Sequence, residues 1–316
     1  MTAESRAHPQ QHRAAEPVAI GVIGLGVMGL PMASNLVAAG HTVSAFVRDA
    51  SRHAELRERG IEPATSIASL SAAVDVVLTV LPDGPDVLAV VLGRDGVAEH
   101  VRSGALHIDA STIAPDTARR VAEALASRGI DAVDAPVSGG EVGARAASLS
   151  IMVGGTASAF DRAEPILRAL GTAVNHVGDS GAGQLVKAAN QLLVAGHLAL
   201  TAEALTLLER SGIEQSTAVA ALTGGLAGSR VLDVKSAAMM SGDFTPGFRA
   251  VLHRKDLRIM REAARERRVA TPLGDAATTL MESLVESGGG DLDHSAVIRE
   301  IQKLHPDQQT TEGDPT

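Results

Sequence analysis

The stretch "VAIGVIGLGVMGLPMASNLVAAG", residues 18–40, decides the fold. Residues 18–23 are an unbroken run rich in β-branched side chains, the pattern of a buried strand. The turn "GLGVMG" follows at once, and a helix is expected from there to Ala39, ended by Gly40. Gly24, Gly26 and Gly29 stand in the G-x-G-x-x-G spacing. The first glycine allows a tight turn, the second lets a pyrophosphate approach the backbone, and the third lets helix and strand pack closely. The phosphates then sit over the helix N-terminus. An isolated match means little, but this one follows a first strand and opens a helix, as its mechanism requires. Gly24, Leu25, Gly26, Val27, Met28 and Gly29 are therefore candidate dinucleotide contacts.

The next strand, "HTVSAFV" (41–47), ends where such a fold selects its cofactor. An acidic residue there holds the ribose 2′-hydroxyl of NAD, and an arginine pairs with the 2′-phosphate of NADP. Here Arg48 comes first and Asp49 second, so NADP or NAD fits and NADPH is favoured. Further strands are expected at 74–80, 105–109, 130–134 and 149–153, with helical stretches such as 114–129 between most of them. Strands alternating with helices predict an α/β fold with a Rossmann-type, doubly wound, mostly parallel sheet. After about Val177 only helices are expected, at 183–211, 214–223, 229–240, 249–268, 272–287 and 294–304. This divides the chain into a tail at 1–17, an NAD(P)-binding domain at 18–178, an all-helical domain at 179–306 and a tail at 307–316. Both tails read as disordered.

Composition narrows the function classes. The chain has 316 residues, 45% hydrophobic and 21% charged, enough to bury a sizeable core. Aromatic content is 1%, so that core must be aliphatic. The formal net charge of −9 argues against general nucleic-acid binding. With no cysteine there is neither a disulfide nor thiolate chemistry, which fits a reducing cytoplasm. The first seventeen residues lack the apolar region of a secretory signal. The most apolar run, Leu192–Leu208, is interrupted by His197 and Glu203, which argues against a membrane span. No His/Asp/Glu group has metal-site spacing along the chain, and no metal is expected.

Two loops end strands where ligands lie in an open α/β sheet. They are "LPDGPDV" (81–87) and "DASTIAP" (109–115), and they offer Leu81, Pro82 and Thr112 as walls of the nicotinamide half. "DAPVSGG" supplies Ser138, Gly139 and Gly140, where backbone N–H groups can be approached by an anion. In "GAGQLVKAANQLLVAGHLAL" (181–200), Lys187 interrupts an apolar helix and Asn190 and Gln191 follow a turn later. Helical spacing puts the three on one face. From residues alone, Lys187 is as easily a snorkelling surface lysine.

Together "GLGVMGLPMASNL", "DASTIAPDTA", "DAPVSGGEVGARAASLSIMVGG" and "GAGQLVKAANQ" resemble the β-hydroxyacid dehydrogenase family, over about residues 18–305 and in order. "GGLAGSRVLD", "FTPGFRAVLHRKDL" and "DHSA" look like its tartronate semialdehyde (2-hydroxy-3-oxopropionate) reductase branch. The resemblance implies that Lys187 is the catalytic lysine, donating a proton while nicotinamide provides hydride. It also implies that Ser138, Gly139 and Gly140 hold a substrate carboxylate. Phe248 would line the cleft, and Lys255 would reach the cofactor. Many relatives have Asn four residues after the lysine; here Gln191 holds that place and Asn190 precedes it, so which amide acts stays open. A second departure is Ala147, where the family usually has Gly, with strain expected if φ is positive there.

The expected activity is reduction of a small 3-oxo acid, tartronate semialdehyde to glycerate, by a cytoplasmic homodimer or homotetramer. Alternatives are a 3-hydroxyisobutyrate or other 3-hydroxyacid dehydrogenase, an imine reductase, which typically lacks the lysine, and a non-catalytic NADP-binding protein.

Overall fold

The computed structural model describes residues 16–304, and the expected tails lie outside the described residues except for Glu16 and Pro17. A nine-stranded sheet organises the first half. Its strands are β1 (Ala19–Ile23), β2 (Thr42–Phe46), β3 (Ile61–Ala64), β4 (Val76–Thr79), β5 (Leu106–Asp109), β6 (Asp131–Asp134), β7 (Val137–Ser138), β8 (Leu149–Gly154) and β9 (Gly171–Gly178). The order is β3-β2-β1-β4-β5-β6-β8-β7, with β9 paired to β8. Pairing is parallel from β3 through β6 and between β8 and β9, and antiparallel where β8 meets β6 and β7. Strand order reverses between β1 and β4, and ligands bind beyond the carboxyl ends of strands at such a point. This is a Rossmann-type doubly wound sheet.

β3, β7 and β9 were not among the expected strands; β7 is two residues long, too short to show an alternation. β3 carries Pro63, which the ladder tolerates because β3 is an edge strand. β9 buries little beyond Gly171 and Val174, so it lacks a clean alternation. The core beneath the sheet is aliphatic, with Ile20, Val22, Leu36, Leu78, Leu106 and Ile108 fully buried. Burying each such side chain contributes roughly 1.5–3 kcal/mol.

Past β9 the described chain is helical. Its spine is the long helix Ala182–Arg210. Helices Arg230–Ser241, Ala250–Glu266, Pro272–Leu284 and Ile298–Lys303 pack around it. Leu198, Leu205, Leu257, Met260, Met281 and Ile298 share this second core. By length and composition the spine could cross a membrane, but Ala188, Ala195, Leu198, Ala202 and Leu205 face the helices around it.

The spine starts on the sheet. Asp134, at the end of β6, accepts from Gly181 N at 2.7 Å through Oδ1 and from Gln184 N at 2.9 Å through Oδ2. A carboxylate is thereby placed at the positive end of the helix dipole. A Cβ on Gly183 would lie 2.4 Å from Met152 O, so only glycine lets the helix sit this close to the sheet. These contacts set where the next turn, with Lys187, falls relative to the strand ends.

Candidate active site

The glycine turn has the shape its spacing predicts. Gly24 has φ +102°, and a Cβ there would lie 2.2 Å from Val80 O. A Cβ on Gly29 would lie 1.9 Å from Gly24 O, so the strand–helix contact admits only glycine. A Cβ on Gly26 would meet nothing within 4 Å, which leaves its backbone open to a ligand. Leu25 is buried, so only its backbone can face that ligand, whereas Val27 is exposed. The turn and the helix start Gly29–Ala38 thus fit a dinucleotide pyrophosphate.

At the end of β2, Arg48 and Asp49 are exposed, and Asp49 Oδ1 caps the following short helix by accepting from Ser51 N at 3.0 Å. That bond holds the Asp49 carboxyl below its usual range. Arg52 was not among the expected contacts. Its NH1 donates to Leu25 O at 3.0 Å, which brings its guanidinium beside the glycine turn.

The loops after β4 and β5 are joined, since Leu81 N donates to Ser111 Oγ at 2.8 Å. Pro82 is exposed and Leu81 and Thr112 are partly so. Asp109 anchors the second loop from below, accepting from Thr79 Oγ1 at 2.8 Å and Ser111 N at 3.1 Å. Burial pushes its carboxyl up to about 6 against those bonds. Gly139 has φ +136° and Gly140 φ +61°, and Ser138 and Gly140 are partly exposed. Ala147 has φ +51°, so this non-glycine residue occupies the left-handed region.

Lys187 is 6% exposed, so it is not a snorkelling surface lysine. Its Nζ donates to Gln191 Oε1 at 3.1 Å. Asn190 Nδ2 donates to the same oxygen at 2.7 Å. Gln191 Nε2 donates to Asp256 Oδ2 at 2.6 Å. Between the two amides, therefore, Gln191 touches the ammonium and Asn190 touches Gln191. Asp256 Oδ1 pairs with Lys255 Nζ at 2.9 Å, and Lys255 also donates to the carbonyl of Thr112 in the other half of the molecule. Burial lowers the Lys187 pKa to about 8, opposed by the Asp256 charge and assisted by the Lys255 charge. An ammonium poised near neutrality can give up a proton readily.

Phe248 packs on two buried histidines, 5.8 Å from the His253 ring and 5.4 Å from the His294 ring. Their Nδ1 atoms are 3.0 Å apart, and burial pushes His253 down to about 4, so the pair is neutral at pH 7. Asp293 fixes the Phe248 loop by accepting from Gly247 N at 3.0 Å and Phe248 N at 3.1 Å, with Lys235 at 2.9 Å on the same carboxylate. Exposed Asp95 and Glu99 and half-buried His100 bring their ligand atoms within 4.8 Å, a proximity not read from spacing. Glu99 there accepts from Asp95 N at 3.0 Å.

A glycine turn at the switch point of a mostly parallel sheet, followed by an all-helical unit, defines an NAD(P)-binding protein. Residues 19–178 match the family model described as the NAD binding domain of 6-phosphogluconate dehydrogenase. Residues 181–301 match the model for the NAD-binding region of NADP-dependent 3-hydroxyisobutyrate dehydrogenase. The chain is 37% identical over 289 residues to 2-hydroxy-3-oxopropionate reductase of Escherichia coli, covering 90% of this chain and 97% of that one. It is 39% identical over 294 residues to 3-hydroxyisobutyrate dehydrogenase of Pseudomonas aeruginosa, covering 90% and 98%. A solved Mycobacterium tuberculosis 3-hydroxyisobutyrate dehydrogenase with L-serine superimposes with a TM-score of 0.83 at 34% identity, covering 91% and 100%. The chain belongs to the β-hydroxyacid dehydrogenase family and takes NAD or NADP as cofactor.

Proposed function

We propose that this protein reduces tartronate semialdehyde to glycerate with NADPH, and that Lys187 is the proton donor. The observation that carries the reading is the burial of Lys187 in hydrogen-bonding contact with Gln191 and beside the Asp256 charge. Reduced nicotinamide, when bound, supplies the hydride for the carbonyl carbon. The chain's residues do the rest. Gly24, Leu25, Gly26, Val27, Met28 and Gly29 hold the pyrophosphate with backbone groups, and Arg48 pairs with the 2′-phosphate. Leu81, Pro82, Thr112 and Lys255 wall the nicotinamide half. Ser138, Gly139 and Gly140 take the substrate carboxylate, and Phe248 closes the cleft. The Lys187 ammonium stabilises charge on the carbonyl oxygen and delivers its proton there. Gln191, supported by Asn190, orients that ammonium. The 179–306 unit thus brings the proton donor to the 18–178 unit.

Similarity to the E. coli reductase and the "DHSA" and "FTPGF" stretches support the tartronate semialdehyde branch. The second reading, a dehydrogenase of 3-hydroxyisobutyrate or serine, is favoured by the P. aeruginosa relative and by the L-serine complex. A 340 nm assay over 3-oxo acids with NADH and NADPH decides. A 2-hydroxyl needs a partner, and a site built for one rejects analogues without it. We expect kcat/KM for tartronate semialdehyde to exceed that for methylmalonate semialdehyde by at least about tenfold, roughly 1.4 kcal/mol. The reverse preference moves the protein to the second reading.

The reading includes self-association in the cytoplasm. Val186, Leu193, Leu200 and Leu207 are 38%, 62%, 61% and 69% exposed on the long helix. Their seven-residue spacing makes an apolar stripe about 32 Å long that drifts about 20° per repeat around the helix. Such a stripe can be self-complementary across a two-fold axis, which supports a second copy of the chain as its occupant.

A further inference from the structure

Gln184 lies one turn before Lys187 on the long helix and is 1% exposed. Its side chain leaves the helix and grips the backbone of the loop after β5. Gln184 Oε1 accepts from Ile113 N at 3.0 Å, and Nε2 donates to Ser111 O at 2.8 Å. An N–H requires an acceptor and a carbonyl requires a donor, so these two bonds fix the amide's orientation. They bracket Thr112, whose carbonyl accepts from Lys255. The Ser111 hydroxyl meanwhile accepts from Leu81 N at 2.8 Å. Of the side chains holding this loop, Gln184 shares a helix with Lys187. Residues three apart on a helix are neighbours on its surface, about 4.5 Å apart along the axis.

We propose that Gln184 is a positioning residue that sets the separation between the Lys187 ammonium and the loop walling the nicotinamide half. The inference rests on the roles given above to Lys187 and Thr112. One rigid helix carries both the proton donor and the clamp on the loop, so neither can shift without the other. Geometry of this kind matters because a misplacement of about 1 Å can lower the rate about 10²-fold. A glutamine that merely satisfied two buried backbone groups would affect stability and leave turnover intact.

The test uses Gln184→Met, of similar length but without either bond, and Gln184→Glu. Hydrogen exchange of the dinucleotide-free protein is read first, since the Ile113 amide loses its acceptor in Gln184→Met and should exchange faster. Dinucleotide affinity should change little, while kcat falls roughly 10- to 100-fold at temperatures well below unfolding. In Gln184→Glu, the protonated acid can still donate to Ser111 O and accept from Ile113 N, whereas the carboxylate cannot donate. Its kcat relative to wild type should therefore recover as pH falls, with no such recovery in Gln184→Met. Should Gln184→Met not fold, Gln184→Glu carries the test alone. Wild-type kcat in Gln184→Met, a flat pH ratio for Gln184→Glu, or unchanged Ile113 exchange overturns the inference. If the wild-type protein reduces no 3-oxo acid, the functional reading falls first and this inference with it.

Discussion

Gln191 Nε2 donates to Asp256 Oδ2 at 2.6 Å, and that bond turns the Gln191 carbonyl oxygen toward Lys187. An amide carries its oxygen and its nitrogen on opposite sides, so fixing one fixes the other. Asp256 acts on Lys187 in two ways, through Gln191 and through its charge, which opposes the effect of burial.

The pH dependence follows. On the proposed mechanism reduction needs the ammonium, so its rate should fall as pH rises through about 8, the pKa to which burial lowers Lys187. Asp256→Asn removes a charge that raises this pKa, so the fall should come at lower pH. Stability carries the opposite sign. Between about 8 and the ordinary 10.5 the unfolded chain holds a proton that the native state has released, so this group makes stability rise with pH across that window. Lys187→Met should remove the rise. Rate profiles and urea titrations at several pH values check both.

In the proposed reading, cofactor choice rests on Arg48. A charge-assisted contact to the 2′-phosphate contributes roughly 1.5–3 kcal/mol, about ten- to a hundredfold in affinity. Arg48→Ala should weaken NADPH by that factor and leave NADH nearly unchanged, as measured by titration calorimetry.

Ala147 holds φ +51°. An L-residue there is strained by roughly 1–2 kcal/mol. Glycine relieves the strain but enlarges the unfolded ensemble, worth roughly 0.4–1 kcal/mol in the other direction. Ala147→Gly should therefore stabilise by about 0.5–1 kcal/mol. A higher urea midpoint with an unchanged m-value is the expected result.

Self-association is tested on the exposed stripe. Leu193→Glu and Leu200→Glu alter no described core contact, since both side chains face outward. Each should shift the molecular mass seen by light scattering toward the monomer while the circular dichroism stays native.

The sequence made the nucleotide site legible because its parts are local: strand, glycine turn and helix start lie within residues 19–38. Lys187 was visible as a cation in an apolar helix. Its surroundings were not, because they depend on pairings distant in sequence. Asp256 is 65 residues from Gln191, Ser111 is 73 from Gln184, and Leu25 is 27 from Arg52. Asp256 follows Lys255 on a helix, where an adjacent pair of charges ordinarily faces solvent, yet it is 3% exposed. The pairing of His253 with His294 carried no signal, since a helix and a short turn 41 residues apart bring them together. Strands β3, β7 and β9 were missed because a proline, a two-residue length and weak alternation mask them, not because they pair poorly.

The central claim is that Lys187 donates the proton. Its most direct test is the kcat of Lys187→Ala with NADPH and tartronate semialdehyde, measured alongside dinucleotide affinity. Proton transfer by a positioned side chain contributes roughly 10²–10⁴-fold. The account predicts a kcat at least about 100-fold below wild type with dinucleotide affinity little changed. A variant that keeps a tenth of the wild-type kcat would contradict it.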